Sequence, residues 1–249
     1  MSNKPLRTSL VIPAYNEEKY IGECLESALK HSNFDEIIVI DNASTDRTKQ
    51  IAQAVAASGK PGASKIRVVT EMKKGLTQAR QRGKIEAKGD IIANIDADTR
   101  MPAGWFDIMQ TEFSQNPNIA VLSGPYIYHD ISPTKQFFIK TLYWYGLAMT
   151  VYWIVGYMTI GGNFAIRKDV LEKMGGFDTS IQFYGEDTNI ARRASKHGKV
   201  KFKPTFHMYT SARRLNGQGV WKTGLIYITN FVSEVVLKKP ATKEYKDIR

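Results

Sequence analysis

Residues 89–105 read GDIIANIDADTRMPAGW. An almost wholly apolar run, Ile91-Ile92-Ala93-Asn94-Ile95, stops at two carboxylates one residue apart, Asp96 and Asp98. Such a run, without polar alternation, suits a strand buried on both faces, as in parallel sheets covered by helices. Two readings of the carboxylates compete. Aspartates are common in turns and ahead of helices, and Pro102 is placed to open one. Alternatively, the pair holds a divalent cation that in turn holds a phosphate. Short motifs match by chance, so the flanking sequence decides between them.

Working outward, strands and helices alternate. Thr8–Pro13 reads as a strand and Glu18–His31 as a helix with apolar residues at three- and four-residue spacing. Glu36–Ile40 is a second strand, and Asp46–Ala57 a helix behind the capping-type residues Ser44 and Thr45. Ile66–Thr70, Leu76–Lys88 and Ile91–Ile95 continue as strand, helix, strand. This order predicts an α/β fold with a mostly parallel sheet and helices on both faces, whose ligands bind beyond the carboxyl ends of the strands. Polar residues follow those ends: Asn16-Glu17 after strand one, Asp41-Asn42 after strand two, Asp96 and Asp98 after strand four. Carboxylates gathered at one edge repel one another unless cations, donors or a ligand compensate them, so one site explains them better than three coincident turns.

Composition narrows the classes. The 249 residues, 43% hydrophobic, suffice for one substantial core. The lone Cys24 cannot form an internal disulfide and shares a helical face with Ile21, Leu25 and Ala28, which points to packing. Nothing at the N-terminus resembles a signal peptide, so a cytoplasmic protein is expected. The net charge of +11 needs an anionic partner, and much of it lies late, in Lys196, Lys199, Lys201, Lys203, Arg213, Arg214, Lys238 and Lys239. No nucleic-acid-binding signature accompanies these residues, leaving an anionic membrane or a phosphorylated substrate. There is no Gly-x-Gly-x-x-Gly after the first strand and no Walker-type loop. Phosphates would therefore be held by metal and basic side chains. Arg80 and Arg82 are candidates, with a solvated helix face as the competing reading.

Five ordered blocks carry a resemblance. LVIPAYNEEKYIGECLESAL, EIIVIDNASTDRT, GLTQARQRGKIEAKGDIIANIDADT, GGNFAIRKDVLEKMGGFD and GEDTNIARR resemble those of the GT-A fold, family-two glycosyltransferases, over roughly residues 6 to 214. The resemblance implies a Rossmann-like single catalytic domain and an inverting transfer from a nucleotide sugar, UDP-linked by family habit, with GDP open. It implies that Pro13, Ala14, Tyr15, Glu17 and Asp41 embrace the base and ribose. Asp96 and Asp98 would bind the metal–diphosphate unit with Mg²⁺ or Mn²⁺, and Asp187, after Glu186, would be the catalytic base. The competing reading of Asp187 is a helix cap. Gly162 would let a sugar approach the backbone closely, or simply make a turn. Gly175-Gly176 resembles the family's loop before the Glu-Asp pair, or caps a helix over Val170–Met174.

Two segments bear on location. Residues 141–166, TLYWYGLAMTVYWIVGYMTIGGNFAI, carry no formal charge and are long enough to cross a bilayer. A single crossing would separate Asp96 and Asp98 from Asp187, so the segment is expected to be buried, re-entrant or interfacial, and its Trp and Tyr content suits an interface. Val220–Leu237 places Trp221, Leu225, Ile228, Val232, Val235 and Val236 on one helical face flanked by Lys222, Lys238 and Lys239. The expected organisation is a donor half over 1–120, an acceptor half over 121–212 and a basic amphipathic segment over 213–249. The expected enzyme is peripheral to the membrane, with a glycan, lipid-linked or phosphate acceptor; a phosphate acceptor, already ionised, would make Asp187 dispensable as a base. A nucleotidyltransferase and a non-catalytic scaffold on the same fold remain as alternatives.

Overall fold

The computed structural model describes residues 6–181, 184–213, 217 and 219–242, without the side chains of 220–223. In chain order the strands are β1 (Thr8–Ala14), β2 (Glu36–Asp41), β3 (Ile66–Thr70), β4 (Ile91–Ile95), β5 (Thr99–Arg100), β6 (Ile119–Ser123), β7 (Tyr126–Tyr128), β8 (Asn163–Arg167), β9 (Lys199–Phe202) and β10 (Met208–Thr210). The helices are α1 (Ile21–His31), α2 (Thr48–Ala56), α3 (Leu76–Glu86), α4 (Trp105–Gln115), α5 (Pro133–Phe138), α6 (Met149–Val155), α7 (Lys168–Lys173), α8 (Glu186–Ala194) and α9 (Val220–Leu237).

Seven strands form one sheet in the order β3-β2-β1-β4-β8-β6-β9, and β5-β10-β7 form a smaller one. In the large sheet only β8 runs against its neighbours, β4 and β6. Every residue of β1 and β4 is buried, as the unbroken apolar runs require. Alternate side chains feed the two faces. Leu10, Ile12, Ala93 and Ile95 pack with α1 and with Trp105, Met109 and Phe113 of α4. Val11, Ile38, Ile92, Phe164 and Ile166 pack with residues of α3, α7 and α8. At Gly83, α3 lies so close to β1 that an added Cβ would overlap the Val11 side chain.

The ends of elements differ from the sequence expectation for local reasons. Helix α1 begins at Ile21 rather than Glu18, because Asn16 turns into the left-handed region (φ 53°) and the Glu17 carbonyl accepts from Tyr20 and Ile21. Helix α2 begins at Thr48, whose N–H donates to the Asp46 carboxylate at 2.9 Å. Ser44, expected as its cap, instead accepts from the Asn16 N–H at 3.1 Å.

The uncharged segment forms neither a span nor a core helix pair. It belongs to one helical run, α5, a π-helical stretch Ile139–Ala148 and α6, after which the chain returns to β8. Trp144 and Ala148 are buried, whereas Leu142, Leu147, Trp153 and Ile154 stand exposed. Helix α9 is inverted relative to the usual amphipathic rule. Among its described side chains Asn230, Ser233 and Glu234 are the buried ones, while Leu225, Ile228, Val232 and Val236 face outward. Glu234, wholly buried, pairs with Arg192 at 2.7 Å and accepts from Asn189 at 2.9 Å, both on α8. Trp221 and Lys222 lie outside the described side chains, as Arg214 lies outside the described residues. Among the described residues no helix is long and apolar enough to cross a membrane.

Candidate active site

The carboxyl ends of β1, β2 and β4 open on one edge, where Ala14 and Asp41 are register partners. Pro13, Ala14, Glu17 and Asp41 are all buried there. Asp41 accepts from the Ser44 N–H at 3.3 Å, and Tyr15 lies beneath the Lys74 ammonium, 4.8 Å from its ring centre. Each of the two loops carries one non-glycine residue in the left-handed region, Asn16 (φ 53°) and Ala43 (φ 57°). Asparagine tolerates that conformation, but for alanine it costs about 1–2 kcal/mol. Strain of this sort collects at functional loops.

Arg80 takes a different place from the one expected. Its side chain is wholly buried, so it neither lies on a solvated face nor projects toward a diphosphate in solvent. It pairs with Asp96 at 3.2 Å and with Glu186, and donates to the Gly161 carbonyl at 2.7 Å. Burial lowers its proton affinity, but Glu186 and Asp96 outweigh that and leave it raised. Arg82, by contrast, pairs one turn along α3 with Glu86 at 2.8 Å and is partly exposed.

Glu186 and Asp187 open α8. Burial pushes the Glu186 carboxyl up to about 7, with the neighbouring Asp187 charge adding to it and Arg80 opposing. The Asp187 carboxyl is also raised, by burial, against the Thr188 N–H that donates to it at 2.7 Å and against Arg80. The cap reading of Asp187 therefore holds only in this local bond to the next residue. Arg80 thus joins the two acidic pairs, which are about ninety residues apart in sequence, into one cluster.

Asp98 has its own cation. Arg213, following β10, pairs with it at 3.0 Å and grips Glu17 with two bonds of 2.6 and 2.8 Å. Among the described residues no three His, Cys, Asp or Glu side chains form a metal cage. The Asp96–Asp98 donor set still fits a hard divalent ion, which binds through one or two carboxylates and completes its shell with phosphate oxygens and water. The Asp96 side chain retains 37% of its exposure, open toward the edge of the sheet.

Several residues that hold the site are silent in sequence. The Tyr126 hydroxyl donates to Asp96 at 3.1 Å, and burial with the Asp96 and Asp98 charges pushes its proton affinity well up. Asn163 accepts from the Trp105 indole N–H at 2.9 Å and donates to the Phe206 carbonyl at 2.7 Å, tying β8 to α4 and to the turn before β10. Asn42 fastens the end of β2 to the loop before α3, donating to the Lys73 carbonyl and accepting from Gly75. Only its place after a strand hinted at this. At Gly162 an added Cβ would overlap the Asp96 carboxylate and the Tyr126 hydroxyl, so it is these side chains that approach its backbone. Gly175 and Gly176 cap α7, donating to the Glu172 and Leu171 carbonyls at 2.8 Å each. Cys24 is fully buried with its thiol pushed up by burial, as core packing predicts.

The comparisons with known proteins agree with this geometry. The model of "Glycosyl transferase family 2" matches residues 9–175. Glycosyltransferase GlyG of Streptococcus pneumoniae is 32% identical over 135 residues, 53% of this chain and 43% of that protein. The chain thus spans less than half of that relative. Among solved structures, a mannosyltransferase from Pyrobaculum calidifontis in complex with GDP-Man and Mn²⁺ superposes with a TM-score of 0.69 at 20% identity, over 98% of this chain and 66% of the other. S. aureus TarS in complex with UDP-GlcNAc gives 0.59 at 18% identity, over 83% and 58%. At those identities the likeness is one of fold, the mostly parallel sheet of GT-A enzymes.

Proposed function

The chain belongs to glycosyl transferase family 2, and from that premise we propose that it is a metal-dependent, inverting glycosyltransferase. The donor is a nucleoside-diphosphate sugar, UDP-linked in the first instance, and the acceptor is a glycan or lipid-linked glycan met at a membrane surface. The observation that carries the reading is the cluster in which Arg80 joins Asp96 to Glu186, beside Asp98 and Asp187, at the carboxyl edge of the sheet. The partly buried loops 13–17 and 41–44 receive the base and ribose, and the chain from 121 onward supplies the acceptor half. Asp96 and Asp98 would hold Mg²⁺ or Mn²⁺, which when bound neutralises the charge developing on the departing diphosphate. A Mn²⁺ complex of the structurally similar mannosyltransferase supports that choice of ion.

Asp187 takes the proton from the attacking hydroxyl. Its raised proton affinity favours this role, because such a carboxylate is a stronger base. Glu186, buried and bonded to Arg80, positions the start of α8 rather than touching substrate. Membrane contact is supported by the outward-turned apolar face of α9 and by Trp153, Ile154, Phe137 and Phe138, with Lys135, Lys140, Lys238 and Lys239 exposed beside them.

Calorimetric titration with UDP and GDP, each with Mn²⁺ and with EDTA, tests the reading. Metal-dependent binding of one nucleotide is expected, and folded protein that binds neither overturns it. Asp98→Asn should abolish most of that binding with the fold intact. Asp187→Asn should leave nucleotide binding unchanged and lower kcat about 10²–10⁴-fold, the usual worth of a positioned base. Unchanged turnover would instead point to an acceptor that is already ionised.

A further inference from the structure

We propose that two grooves beside the small sheet, which share His207 as a wall, form the acceptor subsite, and that they take an anionic oligosaccharide. The inference rests on the transferase reading and names the acceptor class for it. The first groove is a slot of about 220 Å³ between Tyr126 and the turn at 204–207 on one side and Lys140, Trp144 and Tyr145 on the other. One of its walls, Tyr126, also holds Asp96 through its hydroxyl, so the slot lies one side chain from the proposed diphosphate site. His207 also lines a second groove of about 580 Å³, bounded by Ser27, Lys30, His31, Arg100 and Tyr209, beside the last turns of α1.

Three features fix the chemistry of the occupant. First, the slot is walled by aromatic rings, and such walls pack against the C–H faces of a pyranose. Second, Trp144 is 5% exposed and stacked on Phe202, yet its indole N–H has no partner among the described residues. That nitrogen has no accessible surface of its own, so Trp144 offers the slot its ring and not a hydrogen bond. Third, Lys30, His31, Arg100, Lys140 and His207 line the two grooves, and among the described residues no carboxylate does. Of the lysines and arginine among them, Arg100 is ion-paired with Glu23, which leaves Lys30 and Lys140, both exposed and without an ion pair among the described residues, to meet acidic groups spaced along a chain. His207 and Lys140 are neighbours, and burial together with the Lys140 charge lowers the imidazole's proton affinity. A neutral glycan would use the rings but leave the cations unanswered. A single-stranded nucleic acid would use both features, and is separated from a glycan by experiment.

The test is calorimetric titration of the whole chain with a hexameric oligouronate, a neutral glucohexaose and a thymidylate hexamer at constant salt. The oligouronate should bind at least about tenfold more tightly than either of the others. Reversing both lysines, Lys30→Glu with Lys140→Glu, should cost about tenfold or more, whereas Lys196→Glu beyond the end of α8 should change binding less than about twofold. Tyr145→Ala should weaken both saccharides, since it removes a wall and no charge. Equal affinity for the neutral and anionic saccharides, tighter binding of the thymidylate, absence of saccharide binding, or indifference to the double reversal each overturns the proposal. UDP–Mn²⁺ titration of the same double variant should match the unchanged protein. Oligouronate binding without any nucleotide binding would retain the groove and remove the transferase reading instead.

Discussion

Asp96 and Asp98 are one residue apart, and each is answered by an arginine, but the two arginines belong to different kinds of structure. Arg80 comes from α3 in the middle of the fold and is wholly buried; it is also the cation for Glu186. Arg213 comes from the segment after β10, keeps 22% of its side-chain exposure, and shares itself between Glu17 and Asp98. A buried cation serving two carboxylates cannot leave without stranding charge in a low-dielectric interior. A cation at the rim can be replaced by water, by a metal ion or by a ligand group. The turn therefore has a fixed half, Asp96, and an exchangeable half, Asp98. That division suits a site that must hold its shape while admitting a cation and a diphosphate.

The sharpest way to break this comparison is to remove the buried partner. Arg80→Met keeps the volume and deletes the charge, and we expect it to lower the unfolding free energy by about 3–5 kcal/mol, measured by urea denaturation. A loss below about 1 kcal/mol would place Arg80 in the ordinary range of surface pairs and dissolve the distinction. Asp96 and Glu186 should respond together, because a double variant with Glu186→Gln relieves one of the two stranded carboxylates and should recover part of the loss.

A second, smaller effect follows from the raised Glu186 carboxyl, at about 7 against a usual 4.5. Between those values the folded state binds a proton that the unfolded state has lost. Stability from this group is therefore full below pH 4.5 and declines as pH rises toward 7, by at most about 1.4 kcal/mol per pH unit. Glu186→Gln should remove that decline while leaving the rest of the pH profile in place. A profile identical in the two proteins would show that Arg80 keeps Glu186 ionised throughout.

The two halves of the turn were unequally legible in the sequence. The strands that carry it are local features, since unbroken apolar runs such as Ile91–Ile95 determine burial on both faces, and the polar residues after them fall at one edge by topology alone. Asp41, Asp96 and Asp98 could be found that way. Arg80 could not be placed, because a basic residue on a mostly polar helix reads as solvated, and its burial depends on Glu186 and Gly161, far along the chain. Tyr126 and Asn163 are silent for the same reason: their partners lie 30 to 58 residues away. Helix α9 reverses the pattern rule outright, since Glu234 is buried by its bonds to Arg192 and Asn189 while Leu225 and Val236 remain outside. Periodicity reports which residues share a face, but not which face the fold turns inward.

The smallest expected effect tests the exchangeable half. Arg213→Gln loses two short bonds to Glu17 and the pair to Asp98, but Arg213 itself keeps 22% of its side-chain exposure where Arg80 keeps none. We expect a stability loss of about 1.5–3 kcal/mol, the usual worth of hydrogen bonds to charged groups and less than the Arg80 loss. The second readout is Mn²⁺ affinity in the absence of nucleotide. Since Arg213 supplies the positive charge at Asp98, its removal should tighten Mn²⁺ binding, while Asp96, still paired with Arg80, is unaffected. Weaker Mn²⁺ binding in Arg213→Gln would mean that the guanidinium shapes the site instead of competing for it. The exchangeable half would then be as fixed as its neighbour, and the two arginines would differ only in burial.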